Sequence, residues 1–207
     1  MNASLLKNWI KDHRIALLVA ILVGLICVAP SVIFRLSLGS DFRGLDYFPL
    51  DNEEFYIGRM HEILDGYPLV GSMPYADNKN ALPIMPPTIE WIYSGFAILF
   101  HISLPTIVLL SKFFLPALLF LLAYRFIRRL TDDEKTSANI FNAVAGSLLV
   151  TLGIDLTDLS RLVRILTGAG DVGGMPMWTR PVNPISGALL LFLFLNLVWL
   201  ATVEKRK

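Results

Sequence analysis

Cysteine is nearly absent. The one thiol, Cys27, lies inside an apolar run, so neither a disulfide framework nor a thiolate metal site can be built. The three histidines, His13, His61 and His101, are far apart, and no two stand at metal-ligand spacing. Charge is scarce as well: 17% of the 207 residues are charged and the formal net charge is +1. A protein that binds nucleic acid through phosphates needs a clustered basic surface, and nothing of that kind is present. The glycines of "GAGDVGG" (168–174) are followed by no Gly-Lys-Ser/Thr and preceded by no strand pattern, which excludes a phosphate loop.

Apolar residues take the place of charge. They make up 55% of the chain, and the mean hydropathy is +0.60, outside the range of ordinary soluble domains. The expected fold class is an all-α polytopic membrane protein in one module, residues 1–207. Crossing a hydrocarbon core takes roughly 20 apolar residues, and four runs meet that need, near 15–34, 105–127, 137–154 and 183–202. The first follows Lys7, Lys11 and Arg14 and has no small-residue cleavage site, the pattern of an uncleaved signal anchor. A fifth run, "PPTIEWIYSGFAILFHIS" (86–103), contains Glu90, and its uncharged core from Ile92 to Phe100 is too short to cross unaided.

Loop charge decides the topology, because Lys and Arg in short loops favour the cytoplasmic side. If the fifth run crosses, "RFIRR" and the terminal "KRK" fall outside, against the rule. If it does not, Lys7, Lys11, Arg14, Arg125, Arg128, Arg129, Lys135, Lys205, Arg206 and Lys207 all fall inside. Four spans, both termini in the cytoplasm, outer loops at about 35–104 and 155–182, and a plasma-membrane location follow as expectations.

In the first outer loop, Tyr56, Met60, Ile63, Leu64 and Tyr67 recur at helical spacing, predicting an amphipathic helix that lies on the membrane. Asp51 stands before it with Glu54 three residues on, the spacing of a capping box. In the second loop, Leu156, Leu159, Leu162, Val163 and Leu166 predict another surface helix, with Arg161 and Arg164 off its apolar face. Arginine forks suit phosphate oxygens, and Arg180 would sit at headgroup level before the last span; ordinary interfacial anchoring is the simpler account of each arginine. Lys112 is the one basic residue within a span. It either extends its stem to the interface or meets a lipid phosphate.

The order of a signal-anchor span, an outer-loop aspartate in "PLDNEEFY", a helix ending in "DGY", the segment "IMPPTIEW" and a span ending in "YRFIRRL" resembles the start of the GT-C membrane glycosyltransferases, such as oligosaccharyltransferase and the protein mannosyltransferases. The resemblance covers the N-terminal part of such an enzyme. It implies transfer of a sugar from a polyprenyl-phosphate donor to an acceptor on the outer face, with Asp51 as the catalytic carboxylate. It further implies that Asp51, with Asp155 and Asp158 of "IDLTDL", could bind Mg²⁺ or Mn²⁺, and that Lys112, Arg164 and Arg180 contact the donor. Asp155 could equally cap a helix. A partner subunit supplying further spans, alongside membrane lipids, is the implied company. The alternative is a noncatalytic or truncated protein of the same fold, acting in assembly or lipid contact.

Overall fold

A computed structural model describes residues 3–43, 53–71, 79–83, 85–131, 136–153, 160, 163–164, 167 and 177–203. Among them the chain is all-helical. The helices are α1 (Ala3–Asp12), α2 (Arg14–Leu38), α3 (Glu53–Leu64), α4 (Thr88–Phe100), α5 (Leu104–Leu130), α6 (Ser137–Leu152) and α7 (Ile185–Thr202). Three of these, α2, α5 and α7, are long and apolar enough to cross a membrane. The third expected span is the apolar helix α6, whose 16 residues reach about 24 Å at 1.5 Å per residue, short of a core of about 30 Å. The fifth run forms the 13-residue α4.

Helix α5 is the central post, packing against α2, α6, α7 and α4. It runs antiparallel to α2: Arg35 Nη2 donates to the Pro105 carbonyl (2.9 Å) at one end, and His13 Nδ1 lies 3.3 Å from the Tyr124 hydroxyl at the other. On α2 the buried positions Ala16, Ala20, Val23 and Cys27 follow a three-and-four spacing that keeps one seam facing α5. Those residues are small, so the backbones approach closely. A Cβ on Gly24 would sit 2.7 Å from the Phe113 carbonyl oxygen and 2.8 Å from its ring.

Helix α6 returns antiparallel to α5. Thr136 caps it by accepting from Asn139 N–H (3.3 Å), and Asn139 Nδ2 donates to the Thr131 carbonyl (3.3 Å), closing the connection. Its buried face is Ala143, Ser147 and Thr151. Both hydroxyls bond back to carbonyls one turn earlier, Ser147 to Ala143 (2.6 Å) and Thr151 to Ser147 (2.8 Å), so neither polar group enters the apolar seam unsatisfied.

Helix α7 runs parallel to α5, with Ile185 packed beside Leu119 and Phe126 meeting Phe192 edge to face. Asn196 fixes the register. Its Oδ1 accepts from Arg129 Nη1 (2.8 Å), and its Nδ2 donates to the carbonyls of Leu122 (3.0 Å) and Phe192 (2.7 Å). Leu190, Leu191, Leu193, Phe194 and Leu197 of the same helix are exposed, a surface suited to hydrocarbon.

Candidate functional site

At the end of the bundle where α5 begins, α3 and α4 pack on each other and on the first turns of α5. The two helix ends have defined chemistry. In "DGY", Gly66 takes φ +94°, Gly66 N–H donates to the Ile63 carbonyl (3.2 Å) and Tyr67 N–H to that of Glu62 (2.8 Å), a Schellman closure that glycine permits. Past α4, His101 adopts φ +54° and Ile102 N–H donates to the Ala97 carbonyl (3.2 Å). The tryptophan of "PPTIEW" ties the pair together, since Trp91 Nε1 donates to the Pro68 carbonyl (2.7 Å).

Part of the apolar face expected to rest on a membrane is covered within the protein. Met60 is buried in a cluster with Tyr93 of α4 and Leu104 and Val108 of α5, with Tyr56 and Ile57 packed around it; Leu64 is left exposed. Arg59 goes inward too. Its Nε lies 2.6 Å from Glu90 Oε1, with both side chains 3% exposed, and its Nη2 donates to the Met85 carbonyl (2.7 Å). Ser94 Oγ adds a bond to the Met60 carbonyl (3.0 Å). A buried charge is tolerated only when paired and hydrogen-bonded, so Glu90, alone in an apolar helix, was the sign that a cation had to come to it. On the rim, Lys79 Nζ binds Glu62 Oε1 at 2.9 Å, and that hydrogen bond holds the lysine charged to higher pH than usual.

Lys112 lies two turns into α5 and is 1% exposed. It does not extend to an interface: Nζ donates to Ser31 Oγ of α2 at 3.3 Å. An intramembrane cation that faces the bundle interior is costly and marks a functional position by default. Arg180 follows the turn Met177–Thr179, which packs against both α2 and α5. Its Nε is enclosed and has no hydrogen-bond acceptor among the described residues, as is true of Trp178 Nε1. Next to it, Val182 enters the cluster that holds Met60, Tyr93 and Leu104. Lys112 and Arg180 therefore belong to the same end of the bundle as the α3/α4 pair. Arg164 is exposed, on a turn where Thr167 N–H donates to the Val163 carbonyl (3.0 Å).

The three proposed carboxylates, Asp51, Asp155 and Asp158, lie outside the described residues, as does most of the expected second-loop helix. In sequence, Asp51 precedes α3 by two residues and Asp155 follows α6 by three. Among the described residues no three His, Cys, Asp or Glu side chains form a metal-binding group. Besides the Arg59–Glu90 and Lys79–Glu62 pairs, the described part of this end holds a guanidinium whose Nε has no acceptor among the described residues and a buried ammonium.

No family model, no curated protein and no solved structure matches this chain.

Proposed function

We propose that this chain is the N-terminal module of a GT-C-like membrane glycosyltransferase, taking a sugar from a polyprenyl-phosphate donor to an acceptor on the outer membrane face. The observation that carries the proposal is Arg180. Its enclosed Nε lacks an acceptor among the described residues, at the bundle end that also holds Lys112; in sequence, Asp51 stands just before α3, and Asp155 and Asp158 just after α6. Four spans, with α6 as the third, both termini cytoplasmic and a plasma-membrane location, belong to the same proposal. A partner subunit would add further spans.

In the reaction, an acceptor heteroatom attacks the anomeric carbon. The bond from that carbon to the phosphate oxygen breaks, and the electron pair leaves with the polyprenyl phosphate. Asp51 takes the acceptor's proton as general base. Arg180 donates hydrogen bonds to the phosphate as its charge grows, with Arg164 at the rim, while Lys112 contributes positive potential from inside the low-dielectric bundle. The carboxylate set of Asp51, Asp155 and Asp158 offers oxygen ligands only, which suits Mg²⁺ or Mn²⁺; such an ion would add charge neutralisation at the leaving phosphate.

The test is sugar transfer by protein reconstituted with polyprenyl-phosphate sugars, wild type against Asp51→Asn. Removing a general base is expected to lower the rate by about 10²–10⁴-fold. Equal rates would reduce Asp51 to a helix cap, and absence of both donor binding and transfer in the wild type would remove the enzyme reading.

A further inference from the structure

The opposite end of the bundle holds a second site. Where α1 meets α2, a cleft of about 300 Å³ opens between these helices, the end of α5 and the start of α6. This is the lower end of the range of roughly 300–1,000 Å³ seen for small-ligand sites. Lys11, Arg14 and Arg128 line it, and Asp12 is the one acidic residue among the described residues that do. Asp12 and Arg128 each have a further partner. Among the described residues that line the cleft, basic side chains outnumber acidic ones three to one.

Arg128 is held in place from behind. It is 3% exposed, its Nη1 lies 3.4 Å from the Tyr124 hydroxyl, and that hydroxyl lies 3.3 Å from His13 Nδ1. A guanidinium ordered this way gives up little conformational freedom when an anion arrives. Lys11 and Arg14, by contrast, are exposed and free to close over a ligand from the mouth.

The lining is mixed. Ile15, Ala16 and Ile140 add apolar surface beside the three cations. Ile15 is also where the apolar core of α2 begins, and Arg125, Arg128 and Arg129 close the apolar part of α5. The cleft accordingly sits at the boundary between the apolar and polar parts of two helices that are long enough to span a bilayer. A soluble anion has no use for apolar lining. A lipid whose phosphate meets the cations and whose glycerol and first acyl carbons meet the apolar residues matches both.

We infer that this cleft binds a phosphate-bearing anion, and that its source is the headgroup of an anionic membrane lipid. The site is independent of the proposed sugar transfer, since none of its residues belongs to the α3/α4 end.

The test is native mass spectrometry of the delipidated full chain in detergent, titrated with phosphatidylglycerol or phosphatidylcholine. Wild type should retain phosphatidylglycerol in preference. Loss of one charge-assisted hydrogen bond to a phosphate corresponds to roughly tenfold or more in affinity, so Lys11→Gln should weaken retention by about that factor. Lys7→Gln removes the same charge from the same helix outside the cleft, and should leave retention at the wild-type value. Lys11 and Lys7 are both exposed, which keeps the comparison free of folding defects that Arg128→Gln could introduce. Inorganic phosphate serves as the second arm. If it alone raises the melting temperature of wild type but not of Lys11→Gln, and displaces the lipid, the phosphate comes from solution instead of a headgroup. Equal retention of the two lipids with no effect of phosphate, or equal losses in Lys7→Gln and Lys11→Gln, would overturn the inference.

Discussion

Arg59 on α3 and Glu90 on α4 form an ion pair at 2.6 Å with both side chains almost fully enclosed. It joins two helices that also meet through Ser94 Oγ on the Met60 carbonyl and through the packing of Met60 on Tyr93, and it fixes which face of α3 turns inward. Removing one partner of a buried pair leaves a stranded charge, at a cost of about 3–5 kcal/mol, whereas replacing both with apolar residues is often tolerated. Glu90→Gln should therefore lower the thermal stability of the detergent-solubilised protein sharply and expose the α3–α4 connection to protease. The double substitution Arg59→Met with Glu90→Leu should recover most of that loss. A single variant as stable as wild type would mean that the pair has no role in holding α3 on α4.

Helix α2 approaches α5 closely at Gly24, beside Phe113. A side chain there has to push back a backbone oxygen as well as a ring. Overpacking of this kind costs about 1–3 kcal/mol, so Gly24→Leu should reduce the melting temperature measured by tryptophan fluorescence. Gly187, where an added Cβ meets nothing, is the control, and Gly187→Ala should melt at or above the wild-type temperature.

Asn196 is the polar clasp between α7 and α5. In Asn196→Leu the Arg129 guanidinium loses its side-chain acceptor and the Leu122 carbonyl loses its donor. The expected cost is about 1–3 kcal/mol. Cysteines placed at Phe126 and Phe192, whose rings lie 6.4 Å apart, report the packing directly. Their crosslinking yield should fall when Asn196→Leu is added, and an unchanged yield would show that apolar packing alone sets the register.

The positions of α2, α5 and α7 were legible because apolar runs of span length dictate helices whatever they pack against, and the observed ends differ from the expected ones by a few residues. The short fifth run was legible for the same reason, its length. The role of α3 was not. Its spacing of Tyr56, Met60 and Ile63 specifies a greasy face but not whether lipid or another helix covers it, and α4 and α5 enclose Tyr56 and Met60 here. Arg59 lies off that greasy face, and a helical wheel shows it no partner. Glu90, 31 residues away, becomes that partner only on folding. Lys112 was hidden in the same manner: its distance from the end of α5 suggested a stem reaching the interface, while Ser31, 81 residues earlier, receives it within the bundle. The turn that brings Arg180 under cover, Met177–Thr179, is a single 3₁₀ turn, too short to leave a periodic signal.

Arg180 bears the central claim, that the α3/α4 end receives a lipid-linked phosphate. A hydrogen bond to a charged group contributes about 1.5–3 kcal/mol, which corresponds to roughly 10–150-fold in affinity. The direct measurement is the equilibrium binding of a polyprenyl-phosphate sugar to the wild-type protein and to Arg180→Gln, with thermal unfolding of both confirming an intact bundle. Weakening of binding within that range in a folded variant is the predicted result. Equal affinity of the two proteins, or no binding by the wild type, would contradict it.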